Sequence, residues 1–332
     1  MKKIINNPND VVEEMLEGLS LANPNVIHIK GKGVISRKEK SGKVGIVSGG
    51  GSGHEPAHAG YVGRGMLDAA VSGNVFSSPD PERIIEGINQ ADSGKGVLLV
   101  IKNYSGDLMN FTMAKDIAEM DDILVDYVVV KDDVAVEDST YSTGRRGIAG
   151  TVFVHKISGA KAESGAELTE VKRVAEKTIE NVRSMGMAMS SCTIPAIGKP
   201  GFVLADDEIE IGMGIHGEPG VARTKILTSK EIAKNLLDRI VEDFERTTTI
   251  RNEEVAVMIN GLGSSPLMEL YILNRDVQEC LTEMGIKVYK SFVGNYMTSL
   301  EMAGCSVTLL KLDNELKDLL DAPSDAPGFL VK

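Results

Sequence analysis

Val44-Gly45-Ile46-Val47-Ser48, continued by Gly49-Gly50-Gly51-Ser52-Gly53-His54-Glu55-Pro56, is a short apolar strand that runs straight into a glycine-dense loop. Glycine permits positive φ and lets the backbone approach a ligand closely, so several glycines after a strand build a site more often than a filler turn. This loop ends on a histidine where a nucleotide loop delivers a lysine. A phosphate cradle of the form G-x-x-x-x-G-K-[ST] occurs nowhere in the chain. Its nearest approach, Gly198-Lys199, has Thr193 in place of the first glycine and Pro200 in place of the hydroxyl residue. A dinucleotide fingerprint, G-x-G-x-x-G, would need glycine where His54 or Pro56 stands.

His54-Glu55-Pro56-Ala57-His58 also spells the H-E-x-x-H of zinc peptidases. Two histidines four apart grip one metal only from one face of a continuous helix. Pro56 lacks an N–H and disfavours a helical Glu55, and glycine and serine fill the preceding residues. Tyr61 stands where the extended zinc pattern has glycine. A zinc hydrolase is therefore the remote alternative, and no metal site is expected.

Outward from this stretch, short apolar runs alternate with longer amphipathic ones, the pattern of an α/β fold whose sheets are largely parallel or mixed and flanked by helices. A helix is predicted from Val11, Val12, Met15, Leu16 and Leu19, behind a cap at Asn9 or Asp10. Strands are predicted at 26–29, 44–48, 67–71, 97–101 and 124–130, with helices at 81–90, 108–119, 152–162 and 168–183. A second series has strands at 187–192, 209–213, 255–259, 287–292 and 306–311, and helices at 230–244 and 267–284. Two α/β domains are expected, 1–183 and 184–332. The second carries its own glycine turn, Asn260-Gly261-Leu262-Gly263-Ser264-Ser265-Pro266, suited either to an anion at a helix N-terminus or to a tight turn.

Composition narrows the function. The 332 residues carry a formal charge of −12, no tryptophan and 4% aromatics. Nucleic acid needs clustered basic side chains, so it is a poor partner. The longest apolar runs, such as 97–101, fall far short of the roughly 20 residues that span a bilayer. The first residues lack the apolar stretch of a signal peptide. Cys192, Cys280 and Cys305 form no C-x-x-C pair and read as buried thiols. A cytoplasmic protein is expected.

Of five histidines, His28, His58 and His155 sit in patterns suited to structure or surface. His54 and His216 lie in glycine-rich, proline-terminated segments, the latter in Gly212-Met213-Gly214-Ile215-His216-Gly217-Glu218-Pro219-Gly220. Neutral imidazole is both base and nucleophile near neutral pH. A third segment, Lys102-Asn103-Tyr104-Ser105-Gly106-Asp107, follows the strand at 97–101, where parallel α/β folds gather ligand groups. Asp107 can orient a histidine, accept a proton or cap a helix. Asp132-Asp133 and Arg145-Arg146 read as solvated loops.

Taken in order, the segments at 49–56, 102–107, 132–136, 144–147 and 214–220 resemble the dihydroxyacetone kinase family, in its substrate-binding K subunit or domain. The resemblance implies that His216 attacks the ketone carbon of dihydroxyacetone to form a hemiaminal. It implies that His54 is the general base on the substrate hydroxyl and that Asp107 assists, with Gly51, Ser52, Gly53 and Lys102 also contacting substrate. Relatives that use ATP directly carry a further nucleotide-binding domain, for which the sequence up to Lys332 has no stretch. The similarity is thus to the bacterial three-component type. There, ADP and Mg sit on a separate L subunit, supplied with phosphate by a multiphosphoryl carrier of the phosphotransferase system. No cofactor is then expected on this chain, and the K subunit is expected to be a homodimer. A non-catalytic co-activator of the same family is the alternative.

Overall fold

The computed structural model describes residues 2–40, 42–137 and 144–332. Contacts divide the chain into two compact units, 1–130 with 151–180 and 316–332, and 131–150 with 181–315. Residues 131–150 and 316–332 thus each pack with the opposite unit from the one that contiguous domains 1–183 and 184–332 assign them. Spacing along the chain cannot reveal such an exchange, because it is long-range packing that recruits both segments.

The first unit holds α1 (Val11–Ala22), β1 (Val26–Ile29), β2 (Val34–Arg37), β3 (Gly45–Ser52), β4 (Ala69–Val75), α2 (Pro81–Ala91), β5 (Val97–Lys102), α3 (Ser105–Met120), β6 (Val125–Val130), α4 (Thr151–Glu163) and α5 (Leu168–Glu180). Its sheet runs β1-β2-β4-β3-β5-β6. The β4-β3-β5-β6 ladders are parallel, while β1 and β2 add an antiparallel edge. Helices α2 and α3 contact the sheet, as do α4 and α5. Parallel strands covered in this way read as unbroken apolar runs, and β5 is buried at every residue. Val47, Val71, Leu99 and Ile101 pack with Ile84, Ile88 and Phe111 of the helices, each contributing about 1.5–3 kcal/mol of burial. Asp80 caps α2 by accepting from the Arg83 N–H at 3.0 Å, ahead of Pro81 in the first turn. Helix α4 is buried almost all round, so its sequence shows no polar stripe.

The second unit holds β7 (Val182–Ala188), β8 (Glu208–Ile211), β9 (Ala222–Lys225), α6 (Ser229–Glu245), β10 (Glu254–Gly261), α7 (Leu267–Glu283), β11 (Lys287–Gly294) and β12 (Gly304–Leu312). The sheet order is β11-β10-β12-β7-β8-β9, with β10 and β11 parallel and the other pairs antiparallel. Met185, Met187, Leu236, Ile240, Val257 and Val307 share its core with α6 and α7. Thr228 and Glu231 form a capping box that starts α6. Beyond it, α8 (Asn314–Asp321) leads to a hairpin of β13 (Ser324–Ala326) and β14 (Phe329–Val331). Each unit is a mixed α/β sheet flanked by helices, as the alternating pattern predicts.

Several predicted boundaries move. β7 occupies Val182–Ala188 rather than 187–192, because α5 ends at Glu180 and Val182 pairs with Leu310. Ser184 and Gly186 conceal that strand, and the Ser184 hydroxyl is satisfied by Thr308 Oγ1 at 2.7 Å. The short strands β2 and β9 and the elements after 313 have too few apolar residues to show a period. The glycine run is itself strand: β3 continues to Ser52, with Gly49 opposite Val71 on β4. A Cβ at Gly49 would lie 2.2 Å from the Val71 carbonyl oxygen, so only glycine fits there. In the second unit the glycine turn is structural. Asn260 holds Met297 through both its Nδ2 and Oδ1, and Ser265 bridges to the Gly304 backbone. No helix among the described residues is long and apolar enough to cross a membrane.

Candidate active site

In the first unit, three adjacent parallel strands, β4, β3 and β5, end at one edge and deliver Phe76 to Ser78, Ser52 to His54, and Lys102 to Asp107. The carboxyl edge of a parallel sheet is where ligands settle. Asp107 is buried in the first turn of α3. The Lys102 ammonium, wholly buried, lies 3.3 Å from Asp107 Oδ2, and Ser78 Oγ donates to Asp107 Oδ1. A buried lysine is tolerable only beside such a charge. Ser52 Oγ donates to the Gly73 carbonyl at 2.8 Å, pinning the end of β3.

His54 follows, 0% exposed, its ring stacked on Phe76 at 5.1 Å between centroids. Phe76 stands at φ 58, the left-handed region that bulky residues avoid. Strain of this kind clusters at functional sites, and here it accompanies a ring laid against His54. Neither Phe76 nor Ser78 is signalled by sequence pattern, although Ser77-Ser78-Pro79 does follow a strand at the same edge.

Gly50 lies over this cluster at φ 147, where a Cβ would sit 2.5 Å from the Lys102 ammonium. Gly50→Ala is expected to destabilise the chain by about 1–3 kcal/mol and to displace Lys102 from Asp107. Thermal unfolding of the variant, alongside its turnover, measures both effects.

The H-E-x-x-H residues do not lie on a helix. His54 and Ala57 form an isolated bridge, and Glu55 Oε1 accepts the Gly53 N–H at 3.0 Å. His58 turns instead to His155 on α4, Nδ1 to Nε2 at 3.0 Å, both rings buried. Burial, and then the nearby Lys102, hold His155 down to about 3 and His58 well below the usual range. Both are neutral at physiological pH. Among the described residues, no three His, Cys, Asp or Glu side chains are grouped to hold a metal ion.

In the second unit, His216 sits in the connection from β8 to β9. Glu218 grips it twice: Oε2 accepts the His216 backbone N–H and Oε1 pairs with Nδ1, each at 2.9 Å. An ionised Glu218 only accepts, so the proton of this hydrogen bond sits on Nδ1. Burial works against ionisation of Glu218, yet the His216 hydrogen bond and charge outweigh it and hold the carboxyl at about 2. The His216 side chain retains 19% exposure, enough to meet a ligand. Glu218 is the partner of His216 that pattern reasoning passed over. An acid two residues after a loop histidine was its signal.

Asp132, Asp133 and Arg146 are buried and not solvated as their sequence suggests. Asp132 accepts the Ile148 and Gly150 N–H groups at 2.8 Å. Arg146 Nε donates to Asp133 at 2.8 Å and Nη2 to the Gly212 carbonyl at 3.0 Å. Burial pushes Asp133 up to about 6 against the pull of Arg146. Arg145 joins Arg183 on Asp243. Of the polar pairs read from sequence as solvent-facing, Arg146, braced by Asp133, thus ties to the start of the His216 loop at Gly212.

A family model described as the Dak1 domain matches residues 17–328. The chain belongs to the Dak1 family. This Dak1 chain is 57% identical over 328 residues to PTS-dependent dihydroxyacetone kinase 1, dihydroxyacetone-binding subunit DhaK, of Listeria innocua, covering 98% of this chain and 99% of that protein. Among solved structures, it resembles the dihydroxyacetone kinase of C. freundii in complex with AMP-PNP and Mg2+. That likeness has a TM-score of 0.91 and 32% identity, and spans 99% of this chain but 61% of the other. The structure titled Dihydroxyacetone kinase operon co-activator Dha-DhaQ gives a TM-score of 0.90 and 39% identity, covering 96% of this Dak1 chain and 98% of that one.

Proposed function

We propose that this chain is the dihydroxyacetone-binding subunit of a phosphotransferase-dependent dihydroxyacetone kinase, a phosphotransferase with an alcohol acceptor. The observation that carries this most strongly is near full-length likeness to a protein of that name, together with a loop histidine whose Nδ1 is held by Glu218 at 2.9 Å. The Nε2 lone pair of His216 forms a bond to the ketone carbon. The carbonyl electrons move to oxygen, which takes up a proton, and the Nδ1 proton is given up toward Glu218. Glycerol offers no carbonyl and is refused at this step. His54, stacked on Phe76, accepts the proton of the terminal hydroxyl as its oxygen attacks the phosphoryl group in line. Gly51, Ser52 and Gly53 line the approach, and Lys102 and Asp107 fix the hydroxyl.

The phosphoryl group comes from an L subunit that holds ADP and Mg and is recharged by a multiphosphoryl carrier. The chain itself works without a cofactor, as a homodimer in the cytoplasm. Similarity to the co-activator keeps a non-catalytic sensor as the competing reading. A sensor needs a hold on the ketone and has no use for a base beside the hydroxyl. Mixing the chain with dihydroxyacetone and phosphorylated L subunit is expected to yield dihydroxyacetone phosphate. Adduct formation with no phosphorylated product would favour the sensor.

Glu218 supplies a further expectation. Glu218→Ala is expected to weaken ketone capture about tenfold, the size of one charge-assisted hydrogen bond, and Glu218→Gln to restore part of it. The folded-state value of about 2 lies below the ordinary glutamate value of 4.5. Its stabilising contribution is therefore complete above pH 4.5 and disappears as pH falls toward 2. Thermal unfolding between those limits should be less pH-dependent in Glu218→Gln than in the parent.

A further inference from the structure

Of the segment Gly144-Arg145-Arg146-Gly147, Arg145 is paired with Asp243, while Arg146 is buried against the His216 loop. Its Nε and Nη2 lie 2.8 and 2.7 Å from Asp133 Oδ2, and Nη2 donates to the Gly212 carbonyl at 3.0 Å. Nη1 reaches further along the loop. A Cβ at Gly214 would lie 2.5 Å from it and 2.1 Å from Glu218 Oε2. The guanidinium and the carboxylate thus close on one spot beside Gly214, and only glycine leaves room for both. Glu218 in turn holds the His216 ring, Oε1 to Nδ1 at 2.9 Å. Asp133, Arg146, Glu218 and His216 therefore form one row in which acids alternate with bases.

We propose that Arg146 is a positioning residue for His216: acting through Glu218, its charge keeps the Nε2 lone pair of His216 available to the ketone. This rests on the capture of the ketone by His216 proposed above. A carboxylate hydrogen-bonded to one imidazole nitrogen favours the imidazolium, whose second nitrogen carries a proton and is no nucleophile. Glu218 alone would orient the ring and disarm it at the same time. A cation beside Oε2, the oxygen that the ring does not hold, lessens that pull. Burial raises the Glu218 carboxyl, and the His216 hydrogen bond and charge, together with the Arg146 charge, hold it at about 2. Asp133 fixes the guanidinium by accepting from both Nε and Nη2, a fork that lysine cannot reproduce. Asp132 and Glu210, the other buried acids beside these segments, have partners of their own. Asp132 accepts the Ile148 and Gly150 N–H groups, and Glu210 accepts the Gly220 N–H and pairs with Arg223.

The test follows capture of carbonyl-labelled dihydroxyacetone by carbon-13 signals in the parent, Arg146→Gln and Arg146→Lys, across roughly pH 5–9, where an imidazole changes charge. In Arg146→Gln the pH of half-capture should move up by about one unit, the low end of what one nearby charge does. Capture near neutrality then falls by about tenfold and returns at the alkaline end. Arg146→Lys keeps the charge and should stay close to the parent's profile. An Arg146→Gln profile that coincides with the parent's, a loss equal at every pH, or an Arg146→Lys profile displaced as far as that of Arg146→Gln would overturn the proposal. Removing one partner of a buried pair leaves the other uncompensated, so Asp133→Asn combined with Arg146→Gln guards against a misfolded chain. Burial raises Asp133 to about 6 against the pull of Arg146, so it too titrates in this range, and the double variant takes it out. Its profile should move in the same direction as that of Arg146→Gln, and a double variant that tracks the parent would also overturn the proposal. Nitrogen-15 signals of His216 in the ligand-free chain separate this from the substrate reading. The charged ring should persist to higher pH in Arg146→Gln than in the parent, whether or not ketone binds. Identical titrations would remove the role of Arg146, whereas a parent that titrates as expected but forms no adduct would count against the ketone reading alone.

Discussion

His54→Asn is expected to retain the dihydroxyacetone adduct and to lose turnover by about 10²–10⁴-fold, the usual worth of a positioned general base. Asparagine keeps a flat polar group against Phe76 but cannot take a proton. Intact-protein mass spectrometry reads the adduct, and single-turnover transfer from phosphorylated L subunit reads the chemistry. Because His54 is fully buried with its ring stacked on Phe76, its surroundings are fixed before substrate arrives. Small displacements should therefore cost rate more than affinity. Unchanged turnover in His54→Asn would remove the base assignment.

His216→Ala is expected to abolish the adduct, which otherwise adds the full mass of the ketone because a hemiaminal forms without loss of water. Losing covalent positioning should lower kcat/KM by at least ~100-fold, a fraction of what well-oriented bonds supply. Discrimination against glycerol should fall with it, since the carbonyl is what His216 recognises. Kinetics on both substrates check this. A variant that still refuses glycerol would mean that selection lies elsewhere.

The apolar runs and glycine loops placed most strands and both histidine segments correctly, because local geometry dictates them. The strand at 97–101, the helix at 267–284 and the buried Met185 and Met187 are of this kind. Less was legible where one segment depends on another far away in sequence. Phe76 against His54, Ser78 on Asp107, and Arg146 on Gly212 at the start of the His216 loop each join stretches that no spacing relates. The Asp132-Asp133 and Arg145-Arg146 pairs mislead for the same reason, since charged doublets look solvated until opposite charges meet in the interior. The Gly49 to Gly51 run misleads in the other direction. It looks like a loop, yet it extends a strand whose neighbours press too close for any side chain.

Covalent capture by His216 is tested most directly with dihydroxyacetone labelled with carbon-13 at its carbonyl carbon and protein labelled with nitrogen-15 in histidine. On binding, the carbon signal should leave the ketone region for that of a carbon bonded to both oxygen and nitrogen, and should couple to Nε2 of His216. A bound ketone whose signal stays in the carbonyl region, or a bond to any other nitrogen, would contradict the account.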